Sequence, residues 1–121
     1  MQHRGVAYNA KIAFYDIGYA STPSKIYPTS SLEQTMFPPS YQIGARIHTN
    51  SWGSGSNIYN SYARDIDSYT FNNQDYLVLV AAGNSGQGIG GTGTLGAPAT
   101  SKNCIAVGAT LNSLNSGGGT S

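Results

Sequence analysis

Four runs of apolar residues along the chain predict β-strands. Residues 10–17 form a mixed apolar run that ends at Gly18, and residues 45–50 form a shorter run before a glycine-containing turn. Residues 76–82 and 103–109 are apolar without alternation, as expected of strands that are covered on both faces. The sequence therefore predicts a sheet that contains at least two buried strands.

Two helices are predicted between these strands. Ser30, with Glu33 three residues later, has the pattern of a capping box, and Pro38 with Pro39 is expected to end this short helix. Over residues 57–72, apolar residues recur at spacings of four, four and three, which is typical of one face of an amphipathic helix. The apolar positions of this second helix are Ile58, Tyr62, Ile66 and Tyr69.

The alternation of strand, helix and strand predicts a three-layer α/β fold, with a mostly parallel sheet and helices on both of its faces. In such sheets the functional loops lie at the carboxyl ends of the strands. Residues 51–53 and 83–84 each follow directly after a predicted strand, so both are expected at that edge. Residues 83–96 read as a glycine-rich loop, and residues 111–121 as a Gly/Ser/Asn tail without a core pattern.

Composition and charge argue against nucleic acid and against a membrane as binding partners of the chain. Charged residues make up 9% of the 121 residues and the net charge is +1, without a basic stripe, which argues against nucleic acid. No Lys/Arg cluster accompanies an apolar face, and the longest apolar stretch, residues 77–82, is far shorter than the ~20 residues of a membrane helix. Cys104 is the single cysteine, so no internal disulfide can form, and a buried, inert thiol is expected.

Two glycine motifs resemble functional signatures, but a loop role explains each of them better. Residues 86–91 match G-x-G-x-x-G, yet a dinucleotide site needs a helix to begin there, and the Gly- and Pro-containing residues that follow prevent one. Residues 83–86 resemble a nucleophile elbow, but Gln87 stands where that pattern requires glycine. The sequence favours a surface loop for the first motif and a turn role for Ser85 in the second.

No complete catalytic set is visible in the chain. His3 lies near a chain end without an acid beside it, and His48 alternates with polar residues on a predicted strand, where a structural role is favoured. The acidic residues are scattered, so no metal site is predicted. Asn84 follows a buried strand and is flanked by glycine. Its chemistry alone favours a turn residue and leaves open an amide donor for a developing oxyanion.

Taken together, several segments resemble the subtilase family of serine proteases in their order and spacing. Residues 5–12 are similar to the family segment Gly-Val-Ala-Pro-x-Ala-x-Ile, with Tyr8 in place of the proline. Residues 50–53 resemble a segment along the substrate groove, and residues 81–86 resemble the oxyanion-hole motif. Residues 95–99 and 103–109 resemble the floor of the specificity pocket and the next core strand.

This resemblance implies a role for individual residues of a substrate site. Asn84 would donate its side-chain amide to the oxygen of the tetrahedral intermediate. The main chain of Ser51, Trp52 and Gly53 would pair with an extended peptide substrate. The residues expected to wall the pocket for the side chain before the scissile bond are Ala82, Gly83 and Gly96.

The resemblance also implies that most of the catalytic triad lies outside this chain. The family's Asp-x-Gly and His-Gly-Thr-His segments precede the Gly-Val-Ala strand, before which this sequence has few residues. Ser121 ends a Gly-Thr-Ser sequence that resembles the start of the nucleophile segment, but it follows Asn84 too closely for the family. Because the triad acts as a unit, the chain alone is expected to be inactive. A cis peptide bond is implied between Ala97 and Pro98.

The domain and function expected from the resemblance are then specific. Residues 1–110 are expected to be part of a subtilisin-like peptidase domain that is incomplete here, and residues 111–121 a tail or the start of the next loop. The expected function is endopeptidase cleavage of protein substrates, and the alternative is a non-catalytic peptide-binding module derived from the family. A polypeptide is the expected partner, and a secreted parent protein the expected context, although no signal peptide is recognisable in the sequence. No cofactor is expected in this segment. Calcium sites are frequent in the family, which leaves calcium open for the parent protein, but no cluster of acidic residues in this sequence allows a site to be placed.

Overall fold

Three of the four apolar runs form a parallel sheet in the computed structural model of the chain. Strand β1 spans Ile47–Asn50, β2 spans Leu77–Ala81 and β3 spans Ile105–Val107. The strand order is β1-β2-β3, and both neighbouring pairs are parallel. The predicted α/β class with a parallel sheet is therefore confirmed. The structure describes residues 5–19, 21–22, 24–86 and 93–109.

Helical segments connect and cover the strands. A π-helical turn at Leu32–Met36 leads directly into helix α1, Phe37–Gln42, and helix α2 spans Ser61–Asn72. Helix α2 joins β1 to β2, which is the crossover that a parallel pair requires. Within the described ranges, no helix is both long and apolar enough to cross a membrane.

The core lies on one face of the sheet. Val78 and Val80 alternate on β2, are almost completely buried, and belong to one apolar cluster with residues of the helices. On the opposite face, Ile47 pairs with Leu77, and these side chains are 67% and 38% exposed. In the part of the chain that is described, helices therefore cover one of the two faces for which they were expected. The helical members of the cluster are Leu32, Met36, Phe37, Ile66 and Tyr69.

The prediction of a strand over residues 10–17 is wrong for the described structure. Ile12 and Phe14 are 88% and 86% exposed, and the segment has no place in the three-stranded ladder. The pairing closest to it is an isolated antiparallel bridge between Gly18 and Ile26. An apolar, β-branched run forms a strand only where a neighbouring strand accepts its main-chain hydrogen bonds.

The first helix begins one residue later than predicted, and its prolines have the opposite role. Ser31, not Ser30, is the N-cap, since its hydroxyl oxygen accepts a hydrogen bond of 3.2 Å from the backbone N–H of Gln34. Pro38 and Pro39 lie in the first turn of α1, where a backbone N–H has no partner within the helix. They therefore continue the helical segment that they were expected to end.

The second helix is shorter than predicted at its N-terminus. The side-chain oxygen of Asn60 accepts a hydrogen bond of 3.1 Å from the backbone N–H of Ala63, so the helix begins at Ser61. Ile58 precedes this cap and is 56% exposed, although its spacing matched the apolar face. The capping interaction therefore decides where this helix begins.

Candidate functional site

A cavity of about 400 Å³ opens at the carboxyl edge of the sheet. One wall is the segment 51–55 that follows β1, and the other walls come from Ala81, residues 83–85, Thr94 and Gly96. Parallel strands bring these segments together because their carboxyl ends lie at the same edge. Of the residues predicted from the sequence, those that line the cavity are Ser51, Trp52, Gly53, Gly83, Asn84 and Gly96.

Ala82 is the one predicted residue that does not belong to this lining. Its backbone N–H donates a hydrogen bond of 2.9 Å to the carbonyl oxygen of Val107, the last residue of β3. Ala82 therefore prolongs the pairing of β2 with β3 and fixes the point at which the chain turns into Gly83.

Hydrogen bonds between residues 54–57 and 95–97 hold two walls of the cavity together. The backbone N–H of Ser54 donates to the carbonyl oxygen of Ala97 at 2.7 Å, and the N–H of Ala97 donates to Ser56 at 3.1 Å. The side-chain amide of Asn57 donates to the carbonyl oxygen of Leu95 at 2.7 Å. The two walls therefore form one unit, although they are distant in sequence.

This close pairing requires glycine at two positions. A side chain at Gly96 would overlap the carbonyl oxygen of Ser54, which is a backbone atom and has little room to move. A Cβ at Gly53 would lie 3.0 Å from the carbonyl oxygen of Ala97. The peptide bond between Ala97 and Pro98 is cis, as the resemblance implied.

Asn84 is presented to the cavity by a glycine turn. Gly83 lies two residues after the end of β2 and has a φ of 100°, a left-handed conformation that favours glycine. Asn84 is exposed and lines the cavity. Within the described ranges no other protein group forms a hydrogen bond with its side-chain amide, so the amide can donate to a molecule in the cavity.

The main chain of residues 51–53, on the opposite wall of the cavity, is also free to form hydrogen bonds with a bound molecule. Among the described residues, the backbone N–H and C=O groups of Ser51, Trp52 and Gly53 form no hydrogen bond to another main-chain group. Three consecutive residues with unpaired main chain at the end of a strand can pair with an extended peptide. This is the arrangement that strand-addition recognition needs.

The side chain of Trp52 contacts neighbouring protein groups. Its indole N–H donates a hydrogen bond of 3.1 Å to the side-chain oxygen of Asn50, and its ring packs edge-on against Tyr62 at 5.6 Å between centroids. The indole is partly buried against the core. Trp52 therefore contributes main chain to the cavity wall and uses its side chain as an anchor.

His48 is a structural histidine, as the strand pattern predicted. Nδ1 lies 3.1 Å from the hydroxyl oxygen of Tyr76, and Nε2 lies 3.2 Å from the side-chain oxygen of Asn50. Burial lowers the pKa of His48, and the hydrogen bond with Asn50 offsets part of that effect. The contact of His48 with Tyr76 was not foreseen, because Tyr76 lies far from it in the sequence, directly before β2. The spacing of two residues from His48 to Asn50, and again from Asn50 to Trp52, was visible in the sequence.

The remaining sequence candidates do not add to this site. The thiol of Cys104 is partly buried and lies 3.7 Å from the carbonyl oxygen of Ala99. His3, Ser121 and most of the glycine motif at residues 86–91 lie outside the described residues. The described part of the chain has no group of three His, Cys, Asp or Glu side chains that could hold a metal ion.

The similarity of the chain to known proteins extends over most of its length. A family model described as the subtilase family matches residues 1–119 of the chain. Two proteins of Dictyostelium discoideum, the serine protease/ABC transporter B family proteins tagD and tagB, are 40% and 41% identical to it over 111 and 110 residues. Each alignment covers 87% of this chain but only 6% and 5% of the respective relative. The related protein tagA is 31% identical over 106 residues, which is 86% of this chain and 6% of tagA.

Proposed function

Because the chain belongs to the subtilase family of serine proteases, we propose that it forms the substrate groove and the oxyanion-binding part of an endopeptidase. The substrate is an internal peptide bond of a protein. The chain spans only 6% of the first relative that it matches, so this proposal concerns the longer protein of which such a segment is a part.

One observation carries the proposal, namely that unpaired main chain and an unpaired amide face the same cavity. Residues 51–53 offer backbone N–H and C=O groups on one wall, and Asn84 offers its side-chain amide on the other. A peptide that paired with residues 51–53 would direct a carbonyl group toward Asn84. A donor preorganised in this way stabilises the oxygen of a tetrahedral intermediate.

The described walls also suggest which side chain the cavity accepts. Glycine, serine, threonine, alanine, asparagine and tryptophan line it, and no charged side chain is among them. An uncharged substrate side chain enters such a pocket without leaving a charge unpaired. We therefore expect cleavage after uncharged residues.

The catalytic triad is assigned to other parts of the protein. His48 is held between Tyr76 and Asn50 and does not line the cavity, so it is not the general base. Ser85 lines the cavity without a histidine beside it in the described structure. A secreted location follows from the family resemblance and is part of the same proposal.

The test compares cleavage with binding in the longer protein that contains this chain. Internally quenched peptides and denatured casein are incubated with it, with and without phenylmethylsulfonyl fluoride, and the products are identified by mass spectrometry. Cleavage at internal bonds that the inhibitor abolishes supports the proposal. Peptide binding without cleavage would leave the alternative, a non-catalytic peptide-binding module, and the absence of both would refute the proposed function.

A further inference from the structure

A continuous series of polar contacts runs from helix α1 to Trp52. The hydroxyl groups of Ser40 and Tyr76 lie 2.9 Å apart, and the hydroxyl of Tyr76 lies 3.1 Å from Nδ1 of His48. Nε2 of His48 lies 3.2 Å from Oδ1 of Asn50, which also accepts the indole N–H of Trp52 at 3.1 Å. The series therefore ends on the residue at the centre of the proposed peptide-binding wall.

The chemistry of the donors fixes the direction of these contacts. An indole N–H can only donate, so the oxygen of the Asn50 side chain must face Trp52. Nε2 of His48 faces the same oxygen and must therefore carry a proton. In the neutral imidazole, Nδ1 is then an acceptor, and the hydroxyl group of Tyr76 donates a hydrogen bond to it. Burial, which lowers the pKa of His48, favours this neutral form.

The oxygen and the nitrogen of the Asn50 side-chain amide differ in their hydrogen bonding. Asn50 is only 3% exposed, and its Oδ1 accepts from both Trp52 and His48. Its Nδ2 is buried, and no acceptor for it exists among the described residues. A buried amide with an unpaired donor is costly, so the acceptor is the useful half of this side chain.

Trp52, whose indole is anchored, lies in the sequence between two residues with unpaired main chain. Trp52 is held by Asn50 through its N–H and by the ring of Tyr62 through edge-on packing at 5.6 Å. Ser51 and Gly53, on either side of it, have no main-chain partner in the described structure. The position of this wall therefore depends on the side chain of Trp52.

We propose that Asn50 is a positioning residue for the substrate groove, because its Oδ1 holds Trp52 and His48 and thereby fixes the main chain of residues 51–53 for pairing with a peptide. This inference rests on the proposed function. Asn50 does not touch the substrate. It acts through Trp52.

The experiment uses the conservative and the disruptive substitution of Asn50. Asn50→Asp keeps an acceptor for both donors, whereas Asn50→Leu has a similar size and keeps none. Trp52 is the single tryptophan of the chain, so its fluorescence emission reports directly on the anchor. The same substitutions of Asn72, an exposed asparagine on helix α2, serve as the matched control.

Binding of the extended peptide acetyl-Thr-Val-Thr-Leu-amide is measured by titration of the longer protein that contains this chain. We expect Asn50→Leu to weaken its binding about tenfold, the effect of losing one to two hydrogen bonds. Its Trp52 emission should shift to the red, because the indole N–H then faces water. Asn50→Asp should bind within about twofold of the original chain and should raise the pKa of His48 in an NMR titration, because a carboxylate favours the imidazolium form.

The outcomes separate this inference from the proposed function. Unchanged emission and binding in Asn50→Leu, or an Asn50→Asp chain that behaves like Asn50→Leu, would overturn the positioning role. The emission and the pKa of His48 are read without peptide, so they test the link between Asn50 and Trp52 by themselves. If the longer protein that contains this chain binds no peptide, the proposed function fails, and the positioning role fails with it. If Asn50→Leu does not fold, Trp52→Phe removes the same hydrogen bond, and unaltered peptide binding in it overturns the inference.

Discussion

The backbone N–H of Ser54 donates a hydrogen bond of 2.7 Å to the carbonyl oxygen of Ala97, and this bond joins two segments that border the cavity. The N–H of Ala97 returns a bond of 3.1 Å to Ser56. Two segments that lie far apart in sequence thus meet as paired main chain beside the carboxyl edge of the sheet. Their distance of approach depends on the absence of a side chain at Gly96.

Gly96→Ala is therefore expected to damage both stability and the groove. The added methyl group would overlap the carbonyl oxygen of Ser54, so one wall must move. We expect a loss of about 1–3 kcal/mol in the free energy of unfolding, as for an overpacked site. Urea denaturation measures this loss, and titration with an extended peptide measures the weaker binding that should accompany it.

Gly55→Ala is the matched control for that substitution. Gly55 also lines the cavity, but a Cβ there meets no atom within 4 Å. Its effect on stability should stay within about 0.5 kcal/mol. Equal losses in the two variants would show that the contact between residues 54 and 96 is not the cause.

Asn84→Ala should reduce turnover in the intact protease and leave folding almost unchanged. Asn84 is exposed and has no hydrogen-bond partner in the described structure, so its removal costs little stability. Loss of one oxyanion donor is expected to lower kcat by about 10²–10³-fold with little change in KM. Steady-state kinetics with a chromogenic peptide substrate measure both constants.

Ser85→Ala tests whether that loss is specific. Ser85 lines the same cavity next to Asn84, and a turn role was predicted for it. Its kcat should remain close to that of the original protein. An unchanged kcat in Asn84→Ala would refute the oxyanion assignment, and a large loss in Ser85→Ala would assign a catalytic role to the serine.

Local patterns predicted where the strands of the sheet lie but not how deeply they are buried. The apolar runs of residues 76–82 and 103–109 were both expected to be covered on both faces. They form β2 and β3, but β2 is buried on one face and β3 is exposed at all three of its residues. Residues 10–17 have a similar composition, but strand formation depends on a neighbour that no local pattern specifies. Helix α2 begins at Ser61 and not at residue 57 as predicted, because the capping hydrogen bond of Asn60 outweighs the apolar spacing of Ile58.

The segments that line the cavity could be located from the sequence, but the hydrogen bonds that hold these segments in place could not. Residues 51–53 and Asn84 were placed at one sheet edge because each follows a strand. The contacts that hold these walls join residues distant in sequence, such as Ser54 with Ala97 or His48 with Tyr76. A contact of this kind depends on the register of the folded sheet and has no signature in a single sequence.

The burial of His48 makes stability depend on pH in the acidic range. Its imidazole contacts Asn50, Tyr76 and the ring of Phe37, none of which is charged at neutral pH. Burial lowers the pKa of His48 below its ordinary value of 6.5, so the unfolded chain binds a proton more readily than the folded chain. Through this group, stability should therefore fall as the pH is lowered through the unfolded pKa toward the folded one.

Urea denaturation of the original chain and of His48→Gln at a series of pH values checks this prediction. Glutamine can keep one hydrogen bond but does not titrate in this range. The difference in the free energy of unfolding between the two chains should change below pH 6.5, in the direction of a relative gain for His48→Gln. A difference that does not vary with pH would show that His48 has the same pKa in both states.

The buried carboxylate of Asp65 attaches helix α2 to the π-helical turn. Asp65 is 2% exposed, and its Oδ2 accepts hydrogen bonds from the backbone N–H of Leu32 at 2.9 Å and the hydroxyl of Ser31 at 3.0 Å. Asp65→Ala would leave the buried N–H of Leu32 without a partner. We expect the free energy of unfolding to fall by about 1–3 kcal/mol, measured by urea denaturation.

Arg64→Ala separates this hydrogen-bonding role from a role in ion pairing. The guanidinium of Arg64 lies 3.4 Å from Oδ1 of Asp65, but its side chain is 69% exposed, so solvent screens the pair. Its removal should cost less than about 1 kcal/mol, since exposed ion pairs contribute little. If Arg64→Ala is as destabilising as Asp65→Ala, then the ion pair, and not the bond to Leu32, is what attaches the two helical segments.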